Sequence, residues 1–235
     1  MQNAVILIPA YNEVTTIQAI VDRCLSYSPD VMVIDDGSTD GTLEKLKNMP
    51  TVVFSNPVNL GKGATLLKGF QTAIEKNMRG VITLDADGQH NPDDLPQFLS
   101  LSAKFPEGFI IGARRTVTNR PPKVRWWANQ VADFFISCAA RKRLCDTQSG
   151  YRYYPVSFLK RYLSGTKTPN RFAFEAEILV AAVLSGLSVH YVDIASCYPA
   201  GARASHYHPG KDTWEITKTV AKLIFKKSNG IQSSR

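Results

Sequence analysis

Residues 80–90, GVITLDADGQH, begin as an apolar run and stop at two closely spaced aspartates. The apolar part predicts a buried strand, and Asn91–Leu95 predicts a turn into a helix. Since side chains alternate along a strand, Asp85 and Asp87 are expected to face the same way. Two close carboxylates need a cation or a proton between them. Mg²⁺ and Mn²⁺ prefer such oxygen ligands, and the Gln89 amide is a further candidate ligand. The alternative is a turn with two solvated aspartates.

The same order, an apolar run and then polar residues, recurs through the first half of the chain. It predicts alternating strands and helices, hence an α/β fold with a mainly parallel sheet. Ligands bind such sheets beyond the carboxyl ends of the strands, where all the polar clusters would converge. That convergence favours a ligand site over solvated turns. The predicted strands are 4–8, 31–34, 52–54, 81–84 and 109–112, the helices between them include 14–25 and 64–75, and the polar clusters are 9–13, 35–40, 59–63, 85–90 and 112–115.

Charge is distributed unevenly along the 235 residues, whose formal net charge is +8. Residues 1–100 hold 7 Lys and Arg against 12 Asp and Glu, whereas residues 101–235 hold 21 against 8. An acidic first half suits metal binding, and a basic second half suits a phosphate, an anionic membrane surface or nucleic acid. The length and the 44% hydrophobic content predict one domain over residues 1–227, followed by a flexible tail at 228–235.

Two helices predicted in the basic half carry exposed-looking aromatic residues. Residues 124–140 include Trp126 and Trp127 between basic flanks, and residues 213–227 form an amphipathic pattern. Tryptophan with flanking cations is typical of an interfacial membrane helix, but ordinary packing helices show similar patterns. The chain has no run of about 18 apolar residues, no signal-peptide layout and no paired cysteine motif, which predicts a cytoplasmic protein with reduced thiols.

Taken together, these motifs resemble the family 2 glycosyltransferases of GT-A fold, and most closely the dolichol-phosphate or polyprenyl-phosphate sugar transferases. The resemblance runs to about residue 195. It rests on IPAYNE at 8–13, VIDDGSTDGT at 33–42, NLGKG at 59–63 and LDADGQH at 84–90, and more loosely on DTQSGYR at 146–152 and FEAE at 174–177.

The resemblance implies an inverting enzyme that uses a nucleotide-sugar, UDP- or GDP-linked, with Mg²⁺ or Mn²⁺. Asp36 would accept a hydrogen bond from the base, with Asp35 able to share that task, and a helix cap is the alternative role of Asp36. Lys62 at a helix start would meet a phosphate. The remaining implied roles are a base and ribose pocket from Pro9, Tyr11 and Glu13, metal binding by Asp87, Gln89 and Asp85, donor binding by Asp85, and closure over the diphosphate or acceptor by Arg203.

The acceptor class stays open, because two stretches of the basic half depart from the usual pattern of these transferases. A polyprenyl phosphate is already anionic, so it needs cations and no base, whereas a hydroxyl acceptor needs a general base. Asp146 is the first candidate base and Glu177 the second. The candidate cations are Arg114, Arg115, Arg125, Arg152, Arg171 and Arg203.

The expected setting is peripheral attachment to the inner face of a membrane, with no nucleic acid as partner. A phosphatase of the haloacid dehalogenase type would carry its Asp-x-Asp motif on the first strand, which residues 85–87 do not fit. A nucleic-acid-binding protein would not explain carboxylates at strand ends. The alternative from another class is a protein that binds a nucleotide-sugar without catalysis.

Overall fold

A computed structural model describes residues 4–114, 123–165 and 174–195. The strands are β1 Ala4–Ala10, β2 Val31–Asp35, β3 Val52–Ser55, β4 Gly80–Thr83, β5 Phe109–Ala113, β6 Arg152–Pro155 and β7 Val189–Asp193. The helices are α1 Ile17–Leu25, α2 Thr42–Leu46, α3 Lys62–Glu75, α4 Leu95–Lys104, α5 Lys123–Ala140, α6 Val156–Gly165 and α7 Phe174–Leu184, with a short 3-10 helix at Pro92–Asp94. The tail and the predicted helix 213–227 lie outside the described residues.

These strands form one seven-stranded sheet in the order β3-β2-β1-β4-β6-β5-β7. β6 runs antiparallel to both of its neighbours, and the other pairs are parallel. The prediction of a mainly parallel α/β sheet is therefore confirmed. Because six strands point the same way, their carboxyl ends share one edge. The reversed β6 brings to that edge the loop that precedes it.

Helices cover both faces of the sheet, which explains the unbroken apolar sequence of the central strands. In β1 nearly every residue is buried, with alternate side chains packing into opposite cores. Helix α3 lies so close to β1 that a Cβ on Gly69 would come within 2.4 Å of the Leu7 side chain. This close packing fixes the start of α3, and with it Lys62, relative to the end of β1.

Two sequence predictions about local structure are wrong. Helix α1 begins at Ile17 instead of residue 14, because the amides of Glu13 and Val14 donate to Thr42 Oγ1 and Asp40 Oδ2. Strand β4 ends at Thr83, so Asp85 and Asp87 lie in the following turn. Strand alternation therefore does not explain why these two carboxylates meet.

Candidate functional site

A cavity of about 550 Å³ opens at the carboxyl edge of the sheet. The loops after five strands, the loop before β6, the start of α3 and one side chain of α5 form its walls. Nine residues that the sequence marks as site residues line it: Pro9, Tyr11, Glu13, Asp36, Lys62, Asp85, Asp87, Gln89 and Arg114. The convergence of strand-end clusters onto one place is therefore confirmed.

The floor of the cavity holds a lysine between two carboxylates. Lys62 Nζ lies 2.7 Å from Asp85 Oδ1 and 3.1 Å from Glu175 Oε2. Burial lowers the pKa of Lys62, but the two carboxylates outweigh it and the net change is a rise. Burial raises the pKa of Asp85, and Lys62 and His90 bring it below its usual value. Gly150 closes against this group, since a Cβ there would lie 2.6 Å from Asp85 Oδ2 and 2.9 Å from Lys62 Nζ.

Asp87 sits beside this group in a turn that its own side chain stabilises. The backbone N–H of Gln89 donates to Asp87 Oδ1 at 2.9 Å. Burial raises the pKa of Asp87, and the charge of Asp85 raises it further. A cation would relieve that repulsion. Within residues 4–114, 123–165 and 174–195, no three His, Cys, Asp or Glu side chains cluster as a metal site.

Asp35 and Asp36 hold together the loops that follow β2 and β3. Asp36 Oδ1 accepts from Asn56 Nδ2 and the Leu60 amide, and Asp36 Oδ2 accepts from the Gly61 amide at 2.7 Å. Asp35 is fully buried, and its Oδ2 accepts from the amides of the following turn. Neither caps a helix, so that alternative for Asp36 is wrong. Asp40 instead accepts from the amide that starts α2.

Arg114, at the end of β5, lines the wall of the cavity and is bound by Asp146. The Arg114 amide and Nε donate to Asp146 Oδ2 at 2.8 and 2.7 Å, and Nη2 donates to Asp146 Oδ1. Asp146 has a positive φ of 49°. Its amide donates to Asp133 Oδ2 on α5, and Thr147 donates to Asp133 Oδ1 through both its amide and its hydroxyl. Asp146 thus holds Arg114 in place.

Arg152 is not a ligand-facing cation, which corrects its place among the candidates for holding phosphate. Its side chain is 1% exposed and donates to three backbone carbonyls, those of Thr147, Ser149 and Glu175. A buried guanidinium with such partners joins the loop before β6 to the start of α7. Arg152 therefore stabilises the structure around the site.

Sequence reasoning missed three residues that shape the site. Asp133 is the only acidic residue of an otherwise aromatic and basic helix, which was an available signal. Glu175 and Gly150 gave no signal beyond belonging to the loosely matching motifs. Arg115, Arg171 and Arg203 lie outside the described residues, no side-chain position is described for Arg125, and Glu177 lies in α7.

Helix α5 presents an aromatic face to solvent next to the cavity, which Asn129 of the same helix lines. Trp127 and Phe134 are each 64% exposed, and Trp126 and Val131 are also exposed. Basic residues 141–143 follow the helix and are exposed as well. None of the helices in the described ranges is both long and apolar enough to span a bilayer.

Comparison with known proteins identifies a family and its relatives. The model of glycosyl transferase family 2 matches residues 5–166. A UDP-N-acetylglucosamine–dolichyl-phosphate N-acetylglucosaminyltransferase of Methanococcus voltae is 26% identical over 82% of this chain and 85% of its own length. A polyprenol monophosphomannose synthase of Mycolicibacterium smegmatis is 27% identical over 82% of this chain and 77% of its own length.

Among solved structures, the fold is similar to that of glucosyl-3-phosphoglycerate synthase from Mycobacterium tuberculosis in complex with Mn²⁺, UDP and glucosyl-3-phosphoglycerate. The TM-score is 0.67 at 17% identity, over 96% of this chain and 79% of that one. At this identity the likeness concerns the fold alone.

Proposed function

The chain belongs to glycosyl transferase family 2, and we propose that it moves a sugar from a UDP- or GDP-linked donor to a polyprenyl phosphate at a membrane surface. The observation that carries the proposal is that Asp85, Asp87, Lys62 and Arg114 line one cavity. The carboxylates and Lys62 suit a metal-bound diphosphate, and Arg114 suits an anionic acceptor. The name of the Methanococcus relative includes dolichyl phosphate, and the Mycolicibacterium relative is named a polyprenol monophosphomannose synthase.

The nucleotide end of the donor would lie against Pro9, Tyr11 and Glu13. The Tyr11 ring offers a flat surface for the base. Asp36 already accepts three hydrogen bonds from the protein. A carboxylate has about four acceptor positions, so one remains for a base N–H.

The diphosphate would lie over the start of α3, where the helix dipole and Lys62 favour negative charge. Asp87, with Asp85 and the side-chain amide oxygen of Gln89, fits Mg²⁺ or Mn²⁺. These ions use one or two carboxylates and complete their shell with phosphate oxygens and water. The bound ion would stabilise the charge on the departing nucleoside diphosphate. Lys62 would leave Asp85 and Glu175, in whole or in part, to meet the same charge.

The acceptor phosphate oxygen would attack the anomeric carbon from the side opposite the diphosphate. The new carbon–oxygen bond forms as the bond to the diphosphate breaks, and the leaving nucleoside diphosphate keeps the electron pair. Attack from the opposite side inverts the anomeric configuration, and because the phosphate oxygen carries no proton, no general base is needed. Arg114 would offset the charge of the acceptor as the two anions approach.

The hydrogen bonds from Arg114 to Asp146 favour this phosphate acceptor over a hydroxyl. Three of the acceptor positions of Asp146 are filled by Arg114. A carboxylate in that state is poorly placed to remove a proton from a hydroxyl. Transfer to a hydroxyl of a lipid or glycan with Asp146 or Glu177 as base is the second candidate, and a binding protein without catalysis is the third.

The exposed face of α5 supports a membrane-bound acceptor. Its aromatic residues and the basic residues that follow suit the interface of an anionic bilayer. We propose that this face lies on the inner leaflet, so that the lipid phosphate enters the cavity without leaving the membrane.

The decisive experiment screens UDP- and GDP-sugars for transfer to polyprenyl phosphate and to the corresponding free polyprenol, with and without Mn²⁺. We expect transfer to the phosphate only, and only with the metal. Transfer to the polyprenol would establish the hydroxyl mechanism. Donor binding without hydrolysis or transfer to either lipid would favour the non-catalytic reading.

Membrane attachment is tested by sedimentation with anionic liposomes. Removing the aromatic face with Trp127→Ser and Phe134→Ser should lower the bound fraction by more than about 10-fold, since each buried ring contributes roughly 1.5–3 kcal/mol. Val131→Ser on α5 and Val52→Ser on β3 make a matched pair, because these valines are 42% and 40% exposed. Equal binding by the two valine variants would contradict a role for α5.

A further inference from the structure

Helix α5 carries one acidic side chain, Asp133, on the side that faces the site loops. Both of its oxygens accept hydrogen bonds from the turn at residues 146 and 147: the Thr147 amide at 2.7 Å and hydroxyl at 2.6 Å on Oδ1, and the Asp146 amide at 3.0 Å on Oδ2. Burial raises the pKa of Asp133, the bonds from Thr147 oppose that rise, and the charge of Asp146 adds to it.

The turn that Asp133 holds has an unusual backbone. Asp146 adopts the left-handed region, which costs most side chains free energy and persists where neighbours fix it. In that conformation the Asp146 amide points to Asp133, while its carboxylate takes three bonds from Arg114. A series of direct contacts therefore runs from α5 through the turn to the cavity wall.

We propose that Asp133 is a positioning residue for the transfer reaction, fixing the turn at residues 146–147 so that Arg114 is held against the reacting groups. The inference rests on the proposed function. Asp133 does not line the cavity, so it acts through Arg114. A neutral side chain would not replace it: asparagine has one acceptor oxygen, and its amide would meet the Asp146 N–H donor to donor.

The test compares Asp133→Asn, Arg114→Gln and the double variant by steady-state kinetics with donor and polyprenyl phosphate. Asp133→Asn should lower kcat by roughly 10²-fold, the cost of misplacing a reacting group by about 1 Å, with little change in the KM of the donor. In the Arg114→Gln background it should lower kcat by less than about 3-fold, because coupled residues are not additive. Asp22→Asn, on the exposed side of α1, is the matched control.

Effects that multiply in the double variant would overturn the proposal, as would an unchanged kcat in Asp133→Asn. Thermal midpoints of all variants separate loss of folded protein from loss of positioning. If Asp133→Asn fails to fold, Thr147→Val provides the second variant, because it removes one donor to Asp133 and keeps the shape of the side chain. A smaller fall in kcat, again absent with Arg114→Gln, is then expected.

A readout that needs no substrate separates this inference from the proposed function. The Arg114 Nε–H, which donates to Asp146, should give a protected NMR signal in the wild type that broadens or exchanges faster in Asp133→Asn. An unchanged signal would sink the positioning role. If the wild type transfers no sugar at all, the proposed function fails, and this signal still decides whether Asp133 orders Arg114.

Discussion

Two cation–carboxylate groups contribute to the cavity and differ in how they are held. On the floor, one ammonium is shared by two carboxylates from different elements, Asp85 and Glu175. At the wall, the Arg114 guanidinium is bound by Asp146, which is itself anchored from α5. The Lys62 side chain is 39% exposed, and that of Arg114 is 20% exposed.

This difference indicates that the two cations have different roles. A compact ammonium on a flexible stem can exchange one carboxylate partner for a more negative ligand. A planar guanidinium fixed through several donors keeps one geometry. We therefore expect the floor to rearrange when a donor binds and the wall to stay as it is.

The largest effect is expected at Asp87, the proposed metal ligand beside the floor. Asp87→Asn should lower Mn²⁺- or Mg²⁺-dependent transfer by about 10³-fold, because a bound metal contributes several kcal/mol to the stability of the leaving group. The fold should persist, since Asp87 accepts only the local Gln89 amide among its described hydrogen bonds. Initial rates over a metal titration, with Asp22→Asn as control, provide the measurement. Full activity in Asp87→Asn would remove the metal assignment.

The role of the Arg114 guanidinium is tested by Arg114→Lys, which keeps the positive charge and removes the planar set of N–H donors. A lysine cannot reproduce the paired bonds to Asp146, so we expect kcat to fall by roughly 10²-fold. Arg23→Lys, at a surface ion pair with Asp93, provides the matched control and should behave as wild type. If Arg114→Lys keeps the wild-type kcat, position 114 requires only a positive charge. The proposed difference between a fixed guanidinium and an exchangeable ammonium would then be wrong.

Gly150→Ala tests how closely the floor is packed. The new methyl would overlap Asp85 Oδ2 and crowd Lys62 Nζ. Overpacking typically costs 1–3 kcal/mol, so donor affinity should fall by about 10-fold because both groups would be displaced from the positions in which they meet the donor. Titration calorimetry with UDP and GDP measures it, and a thermal midpoint measured alongside shows how much of the cost falls on folding. Unaltered affinity would mean that the pair moves freely.

The smallest effect is expected from Glu175→Gln, and its sign is the informative part. Removing one carboxylate releases Lys62 from a competitor of the donor diphosphate, and an exposed pair is worth up to about 1 kcal/mol. Donor affinity should therefore rise, by at most roughly 5-fold. Glu75→Gln, at the exposed end of α3, controls for the loss of one negative charge. Weaker binding in Glu175→Gln would show that Glu175 supports the donor instead of competing with it.

The sequence was a good guide wherever strand order alone decides position. Tyr11, Asp36, Asp85 and Arg114 follow apolar runs, and parallel strands bring their carboxyl ends to one edge whatever the details of packing. The prediction of metal-binding and donor-binding residues on this edge stays a prediction, although the structure brings those of the described ranges into one cavity.

The sequence was a poor guide wherever tertiary contacts decide direction. Arg114 and Arg152 looked equivalent as candidate cations, yet one lines the cavity and the other is buried among carbonyls. The difference follows from the three carbonyls that bind the Arg152 side chain, and these contacts are not visible in the sequence. The capture of Lys62 by Asp85 and Glu175 likewise joins residues 23 and 113 positions apart, a separation that no local pattern encodes.

The reversed strand also has a consequence for how the chain is made. β4 pairs with β1 on one side and with β6 on the other, so its second edge waits for residues 152–155. At roughly 5–20 residues per second, a ribosome needs about 4–14 s to supply the 72 residues between Thr83 and Pro155. During that interval the nascent sheet displays an apolar edge open to pairing with other chains. Slower translation through this segment should therefore lower the soluble yield, and chaperone supply should matter most at this stage of synthesis.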